Sequence, residues 1–451
     1  MKLQISVLAA LVAALVSAPS VAAVSAADAA QLKTTLTPMG AEKAGDPAHG
    51  IPAWTGGYTK VPAGFKQGSV RPDFFASDKP IYTVTSKNMD KYADELTDGV
   101  KALLQKYPDF KLEVYPTHRS AAAPQWVYDN TFKNATRAKL TDNGFGVEGA
   151  YGGIPFPIPQ NGNEVMWNHR LAWAGESQSA PAKAWMSTAD GHISLASGGH
   201  QIKYSPYYLK NGDLKSFGGF YQLGLYVQSA PASKAGEAIL AQEPVNSAHD
   251  RGIWQYLVGQ RRVRRAPAVA YDTPDSVTSG IGFFDEAFMQ FGPFDHHVYK
   301  LVGKKEMLIP YNENRALAAK PEDLVGKHFL NPNLVRWELH RVWEVDATLA
   351  PGKRHVVAKR KYYFDEDTWQ IILLDGWDAD GKLWRTTYTL PLLAPDVPTI
   401  YGDVDWGTYD LRTGAYFINS AANGTDQQIA PDPKLTAEDF TPSALANLGA
   451  R

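Results

Sequence analysis

The sequence predicts a mainly β protein of the α+β class, in which helices come first and one large antiparallel sheet follows. Before about residue 171, apolar residues recur every three or four positions in several segments, which is typical of amphipathic helices. From about residue 193, apolar and polar residues alternate, and short turns join the segments, as in an antiparallel meander. Between residues 299 and 390 no helical segment is long enough for a parallel crossover.

The N-terminus has the pattern of an export signal. Lys2 is followed by an apolar run over residues 7–16, and the small residues at 21–26 suit cleavage by signal peptidase. The run is too short to span a bilayer, which takes roughly twenty residues, and no stop-transfer pattern supports the alternative of a membrane anchor. No cysteine is present to carry a lipid. We therefore expect residues 1–23 to be a signal peptide and the mature protein to be periplasmic, not lipidated and not membrane-spanning.

Composition excludes several classes of function. An apolar content of 44% and a charged content of 20% describe a globular chain. The formal net charge of −2 offers no field to attract nucleic acid, so we expect no nucleic-acid partner. The absence of cysteine excludes disulfides and thiolate metal sites, so stability must come from burial.

The chain divides into four segments by composition. After the signal, residues 24–80 are rich in Gly and Pro but also carry aromatic residues that a disordered linker would lack. We interpret this segment as an extended arm packed on the main body. Residues 81–425 form that body, and the Ala- and Pro-containing residues 426–451 are expected to be a loose tail.

Three helices are predicted before the sheet. The first runs over residues 86–107, with Ser86 as N-cap and Pro108 after its end. The second begins at Pro124 and runs to about Leu140. A shorter third helix spans about residues 165–171.

The clearest strands lie within residues 299–309, 336–346, 355–364, 369–374 and 384–390. Six large apolar side chains on these strands are our candidates for lining a ligand cavity: Trp337, Leu339, Trp343, Val345, Tyr362 and Phe364. The first four are predicted to share one face, opposite Glu338, His340, Glu344 and Asp346. The same pattern also suits a filled core, and the residues alone leave both interpretations open.

Sequence motifs give no cofactor, metal or catalytic residue. Residues 144–149 match the dinucleotide fingerprint, but residues 150–155, rich in Gly and ending in Pro, cannot open the helix that the fingerprint needs. Asp378, Asp380 and Gly381 suit a hairpin turn rather than a calcium loop, and the histidines lack zinc spacing. Paired carboxylates are plentiful, which leaves a secreted, glycosidase-like hydrolase as the alternative function.

The densest positive cluster is formed by Arg261, Arg262, Arg264 and Arg265. Such a cluster is typical of a solvated edge strand, where charge discourages aggregation. It could equally bind an anionic group, such as a lipid headgroup or an acidic partner.

Several stretches together resemble a known family; they are residues 36–45, 51–57, 115–119, 153–159, 167–169, 261–267, 301–306 and 336–343. The chain is similar to secreted proteobacterial proteins of unknown function that are often described as outer-membrane lipoprotein-sorting proteins. The resemblance implies a fold like that of the periplasmic carriers LolA and LolB, a curved sheet or incomplete barrel with helices on its concave face. It implies a carrier for a hydrophobic or lipid-like ligand, working with envelope transport proteins, and no catalytic residues.

The first prediction concerns export. The protein isolated from a cell-envelope fraction should begin at or close to Val24 or Ala27, because signal peptidase cleaves after small residues. Intact mass spectrometry measures this directly. Retention of Met1, or a mass increment from a lipid, would contradict the prediction.

Overall fold

The computed structural model describes residues 24–246, 251–266, 271–402, 405–420 and 427–448. The predicted signal peptide, residues 1–23, lies outside the described residues. Within the described ranges the protein is mainly β, and short helices and irregular segments pack on the sheet.

The strands follow the predicted alternation and are numbered in chain order. They are β1 (Tyr82–Val84), β2 (Leu112–Val114), β3 (Lys139–Thr141), β4 (Gly146–Glu148), β5 (Ser177–Ser187), β6 (Ile193–Tyr204), β7 (Phe220–Ala230), β8 (Ala238–Pro244), β9 (Gly252–Leu257), β10 (Arg262–Arg265), β11 (His297–Pro310), β12 (Trp337–Leu349), β13 (Lys359–Asp365), β14 (Ile371–Trp377), β15 (Leu383–Thr389), β16 (Leu392–Ala394), β17 (Thr399–Tyr401), β18 (Trp406–Asp410) and β19 (Tyr416–Ser420).

One curved sheet of 15 strands dominates the molecule. Its order is β1-β2-β12-β13-β14-β15-β18-β19-β5-β6-β7-β8-β9-β10, with β11 also paired to β12. All pairings in this sheet are antiparallel except that of β2 with β12, which is a single parallel pair at Val114 and Trp337. Because β1 and β10 stay at its two ends, the sheet does not close into a barrel. The predicted fold class, mainly β with a curved and incomplete sheet, is confirmed.

The hairpin turns are formed by the residues that the sequence indicated. Between β14 and β15, the Asp378 carboxylate accepts hydrogen bonds from the backbone N–H groups of Asp380 and Lys382, both at 2.9 Å. Gly381 adopts a positive φ of 75°, which a side chain would strain. Both Asp378 and Gly381 therefore serve the turn, as predicted.

The helices are short. They are α1 (Ala26–Ala30), α2 (Asp98–Lys106), α3 (Gln125–Ala135), α4 (Gly162–Arg170), α5 (Asn314–Ala318), α6 (Pro321–Leu324) and α7 (Pro442–Leu448). The second and third predicted helices correspond to α3 and α4, although α3 ends five residues before the predicted Leu140.

The predicted single helix over residues 86–107 is wrong, because two helices occupy it. A 3₁₀ helix, Met89–Glu95, is followed by extended backbone at Leu96 and Thr97. The Thr97 hydroxyl then accepts a hydrogen bond from the Val100 N–H and caps α2. Threonine favours this capping role over a helix interior, which explains why the helix breaks here. The apolar periodicity of the sequence continues across the break and therefore did not reveal it.

Helices cover both faces of the central strands. On one face, Leu103 and Leu104 of α2 belong to the same apolar cluster as Leu373 of β14. On the other face, Trp167 of α4 packs in a cluster with Leu374, the next residue of the same strand. Strand β14, in which every residue is buried, is therefore covered on both faces, as its continuous apolar segment suggests.

Strand β12 does not present one uniform apolar face. Trp337 and Leu339 join the cluster of α2, whereas Val345 joins the cluster of α4 and Trp343 packs against that second cluster. The neighbours change along this strand, since its start pairs with the end of β2 and its later part with β13. The four side chains thus contribute to two apolar clusters of the core rather than to one.

The polar side of β12 is buried as well. Glu338 is 0% exposed and accepts hydrogen bonds from Arg336 at 2.5 Å and Asn312 at 3.0 Å. His340 lies 3.1 Å from the same carboxylate. Burial opposes ionisation, but the contacts with His340 and the charge of Arg336 hold the pKa of Glu338 below its usual range. These residues thus meet polar neighbours rather than solvent.

Both terminal segments pack on the sheet-forming body. In the arm, Arg71 is fully buried and donates to the Asp396 carboxylate at 2.7 and 2.8 Å. Near the C-terminus, Phe440 and Leu445 lie in an apolar cluster with Leu225 and Leu240. Within the segment that we expected to be loose, residues 426–451, Phe440 and Leu445 are thus buried, whereas Leu448 is 43% exposed. The division of the chain into arm, body and tail stays a prediction.

The second prediction concerns this core. Trp337→Ala should lower the free energy of unfolding by roughly 3–5 kcal/mol, because Trp337 is 1% exposed and its removal leaves a cavity. Urea denaturation followed by circular dichroism measures the loss. Trp254→Ala, at a half-buried tryptophan near the sheet edge, is the control and should cost clearly less. Equal losses in the two variants would contradict the central position of Trp337.

Candidate functional site

The candidate site is an apolar pocket on the second half of the sheet, over β5 to β8. Side chains that share one face of these strands line it: Ala182, Gln201, Lys203, Gln222, Gly224, Tyr226, Ile239, Ala241 and Glu243. The pairing register explains why they converge, since Lys203 lies opposite Gly224 and Gly224 lies opposite Ala241. The other face of the same strands packs against Phe440 and Leu445.

A loop between β10 and β11 covers this pocket. We call residues 274–291 the covering loop. It contributes Asp275, Val277, Thr278, Phe284, Ala287, Phe288 and Phe291 to the pocket wall. Trp406 and Asn419, from β18 and β19, complete the wall on the side of the central sheet.

Two buried ion pairs fix the covering loop to the central strands. The Asp285 carboxylate accepts hydrogen bonds from the Arg360 guanidinium at 2.7 and 3.0 Å. The Glu286 carboxylate accepts from Arg385 at 2.5 and 2.7 Å. Burial opposes the charge of Asp285, but Arg360 and the neighbouring His355 hold its pKa well below the usual range.

The backbone of the loop is bent between these pairs and the pocket. Phe288 has a φ of 53° and Met289 a φ of 67°, in the left-handed region that such residues rarely adopt. The bend places the Phe288 ring over the Lys203 ammonium group, with 4.1 Å between nitrogen and ring centroid. Strained backbone of this kind persists where the surrounding contacts determine it, which here are the two ion pairs.

The size of the pocket depends on small residues. It leaves about 150 Å³ for the centres of water-sized groups. Gly224 lies in the middle of β7, and a Cβ added there would meet no atom within 4 Å. Because glycine weakens a strand without contributing to packing, its presence at this position provides space rather than stability.

Three ionisable side chains reach the pocket. Lys203 is buried beneath Phe288, and Glu243 is held by Arg251 through hydrogen bonds of 2.6 to 3.1 Å. Asp275 accepts a hydrogen bond from the Val277 N–H at 2.9 Å, and burial raises the pKa of its carboxyl to about 6. The pocket is therefore mostly apolar, with a carboxyl group at its wall that changes charge near neutral pH.

The six predicted cavity residues lie elsewhere. Trp337, Leu339, Val345, Tyr362 and Phe364 are buried among other core side chains, and Trp343 is half-buried between Trp369 and Lys304. None of the six lines the pocket under the covering loop. Their assignment as ligand-binding residues stays a prediction.

The arginine cluster occupies the edge of the sheet. Arg262, Arg264 and Arg265 lie on β10, which pairs only with β9, and all three are exposed. Arg261 precedes the strand in a left-handed conformation. This arrangement suits the solvated edge strand, and a role in binding an anionic group stays a prediction.

Sequence reasoning missed the pocket residues. Gln201, Lys203, Gly224 and Ala241 do not form an apolar face, so the alternation of β6 to β8 did not distinguish them. The available signal was the aromatic density of the covering loop, where Phe283, Phe284, Phe288 and Phe291 fall within nine residues beside Pro and Gly. Aromatic residues in an irregular segment need a surface to cover.

Two clusters of histidine and carboxylate could in principle hold a metal ion. One is Asp46, His49 and Glu306 at the arm, and the other is His340, Asp365 and Asp367 in the core. In the core cluster, Asp367 is already engaged by the Arg119 guanidinium at 2.7 and 2.8 Å. We assign no metal to either cluster.

The protein thus belongs to the class of open, mainly antiparallel sheets, and it carries an apolar pocket beneath a loop that two ion pairs fix in place. The chain belongs to the family described as "Protein of unknown function (DUF1329)", whose model matches residues 83–446. It is 38% identical over 440 residues to "Uncharacterized protein PA3922" of Pseudomonas aeruginosa, with 95% of each chain covered. Membership of the family that the sequence resembled is thereby confirmed.

Solved structures give partial likenesses. A DUF1329 family protein from Desulfovibrio piger has a TM-score of 0.41 at 14% identity, covering 62% of this chain and 96% of that one. A putative outer membrane lipoprotein-sorting protein domain from Vibrio parahaemolyticus has a TM-score of 0.43 at 12% identity, covering 63% and 97%. LolA superfamily protein NE2245 from Nitrosomonas europaea has a TM-score of 0.35 at 11% identity, covering 63% and 98%. Across the described residues, every helix is too short or too polar to cross a bilayer.

The third prediction concerns Asp275. Wild-type protein should bind an uncharged apolar probe, N-phenyl-1-naphthylamine, less tightly as the pH rises through about 6, because the carboxyl becomes charged. Stability should fall as the pH rises from about 4 to about 6 and should level off above that, because between these two pKa values the folded state holds the proton more tightly than the unfolded state.

Asp275→Asn should remove both effects, and Asp323→Asn, at an exposed position on α6, should keep them. Fluorescence titration between about pH 5 and pH 7.5 measures the first effect, and thermal melting between about pH 4 and pH 7.5 measures the second. A pH dependence that persists in Asp275→Asn would contradict the assignment.

Proposed function

We propose that the protein is a periplasmic binding and carrier protein for a hydrophobic, lipid-like molecule, which it holds in the pocket under the covering loop. The observation that carries this proposal is the pocket itself, an apolar space walled by Phe284, Phe288 and Phe291 on one side and by the sheet on the other. Each methylene group moved there from water contributes about 0.8 kcal/mol.

Two features of the pocket suit a carrier that must also release its ligand. The wall over the ligand belongs to a loop rather than to a strand, so opening it breaks no strand pairing. The sheet face beneath contributes small or polar groups such as Gly224, Ala241 and Gln201, which limit the area of apolar contact. We propose that envelope transport proteins receive the ligand when the loop opens.

The hydrolase alternative receives less support from the pocket. A glycosidase needs two carboxyl groups that face the bond to be cleaved. Of the two carboxyl groups at the pocket wall, Glu243 is engaged by Arg251 in a bidentate contact. Asp275 alone does not provide the required pair.

A direct test is to identify what the purified protein carries. Native mass spectrometry, followed by extraction with organic solvent and analysis of the extract, should recover a hydrophobic compound at close to one molecule per chain. Protein purified without detergent and refolded from denaturant should have lost the compound and should bind added N-phenyl-1-naphthylamine. Absence of any extracted compound, together with absence of probe binding, would refute the proposed function.

The fourth prediction locates the ligand. Gly224→Phe should leave the fold intact, because the new side chain enters open space, and should reduce probe affinity and bound ligand at least about tenfold by filling the pocket. Gly259→Phe is the matched control, since an added Cβ at exposed Gly259 also meets no atom within 4 Å but lies outside the pocket.

The melting temperatures of both variants establish that they are folded, and fluorescence titration measures the affinity. Unchanged binding in a folded Gly224→Phe protein would place the ligand elsewhere.

A further inference from the structure

A second, polar chamber adjoins the apolar pocket. Gln222, Phe288 and Phe291 line both spaces, so the two adjoin at the bend of the covering loop. The chamber leaves about 70 Å³ for the centres of water-sized groups. Its other lining residues include His169, Arg170, Ser205, Tyr208, Gln290 and Gln370, and most of these carry hydrogen-bonding groups.

Arg170 is the charged group of this chamber. It is the last residue of α4, where the helix dipole favours a cation. One guanidinium nitrogen, Nη2, donates to the side-chain oxygen of Gln290 and to the Gly292 carbonyl oxygen. The guanidinium carbon lies 3.8 Å from the centroid of the Phe294 ring.

Arg170 has no anionic partner in the described part of the chain. No described carboxylate lies within 4.0 Å of its guanidinium group, and its Nε and Nη1 atoms make no hydrogen bond to the described residues. Glu243 is engaged by Arg251, whose Nη2 lies 2.6 Å from that carboxylate. The Arg170 side chain is half-buried, and desolvation lowers its pKa. A cation in such a position is stabilised by a partner of opposite charge.

A second unsatisfied group faces the same space. The side-chain oxygen Oε1 of Gln370 is buried and has no hydrogen-bond partner in the described residues. Gln370 lines the chamber and is 3% exposed. Buried polar atoms without a partner are rare in native proteins, and this oxygen can accept a hydrogen bond only from a group that carries a hydrogen, such as a water molecule or a hydroxyl group beside the headgroup.

We propose that the ligand is a single-chain amphiphile, with its hydrocarbon chain in the apolar pocket and an anionic headgroup bound by Arg170 in the polar chamber. This inference rests on the proposed carrier function and specifies its ligand class. The apolar pocket and the polar chamber adjoin, which suits a ligand with one hydrocarbon chain and one polar headgroup. A carboxylate or a phosphate would both suit Arg170, because each accepts two hydrogen bonds from a guanidinium group.

The test compares three ligands with the same chain: dodecanoate, dodecyl phosphate and dodecanol. Wild-type protein at pH 8, below the micellar concentration of each ligand, should bind at least one anionic ligand at least about tenfold more tightly than dodecanol. Isothermal titration calorimetry or displacement of N-phenyl-1-naphthylamine measures the affinities. The ratio between dodecanoate and dodecyl phosphate identifies the headgroup.

R170Q should abolish the preference for the anions and leave dodecanol binding unchanged. R170K should keep part of the preference, since an ammonium group keeps the charge but not the planar pair of donors. R354Q, at an exposed arginine between β12 and β13 that lines neither space, is the control and should behave as wild type. If R170Q does not fold, the crystal structure of wild-type protein with dodecanoate decides, and a carboxylate remote from Arg170 overturns the inference.

The outcomes separate this inference from the proposed function. Equal binding of dodecanol and the anions, with both lost in Gly224→Phe, would overturn the headgroup assignment and support the carrier. Failure of all three ligands to bind would count against the carrier function itself.

Discussion

The pocket of this protein depends on two buried ion pairs, Asp285 with Arg360 and Glu286 with Arg385. All four side chains are almost inaccessible to solvent, and the two arginines project from β13 and β15 of the central sheet. Removing one partner of a buried pair leaves an uncompensated charge, at a cost of about 3–5 kcal/mol. The pairs therefore hold the covering loop at a fixed height above the sheet, and that height determines whether a space exists beneath the aromatic side chains.

The two halves of the sheet use the same architecture for different purposes. In the central half, large side chains such as Tyr362, Phe364 and Leu373 fill both faces, which supplies most of the apolar burial. In the half formed by β5 to β8, one face is filled by the C-terminal segment and the other carries Ala182, Gly224 and Ala241. The strands that supply most of the buried core are thus different from the strands that border the pocket. A ligand can therefore enter or leave without disturbing the central core.

The sequence allowed the general fold to be predicted but not the site. Alternation along residues 299–390 predicted an antiparallel meander, because each strand there has at least one strongly apolar face. The break at Thr97 escaped prediction, since the apolar period of α2 continues through the preceding 3₁₀ helix. The pocket was not predicted, because it forms where a loop meets strands whose inward residues are small or polar, and the aromatic residues of that loop were its one signal in the sequence. The burial of Glu338 could not be predicted for a similar reason, since Asn312, which donates a hydrogen bond to it, belongs to another segment of the chain.

The affinity and the specificity of such a site would come from different groups. Chain burial is non-directional and grows by about 0.8 kcal/mol with each methylene, so it distinguishes ligands by length only. The Arg170 guanidinium group is directional, and its donors without a partner among the described residues favour an anionic headgroup over an uncharged one. Because Phe288 and Phe291 border both spaces, a movement of the covering loop would expose the chain and the headgroup together. The ion pairs at the base of the loop then oppose the release of both parts of the ligand, and a receiving partner that competes for Asp285 or Glu286 would lower that barrier.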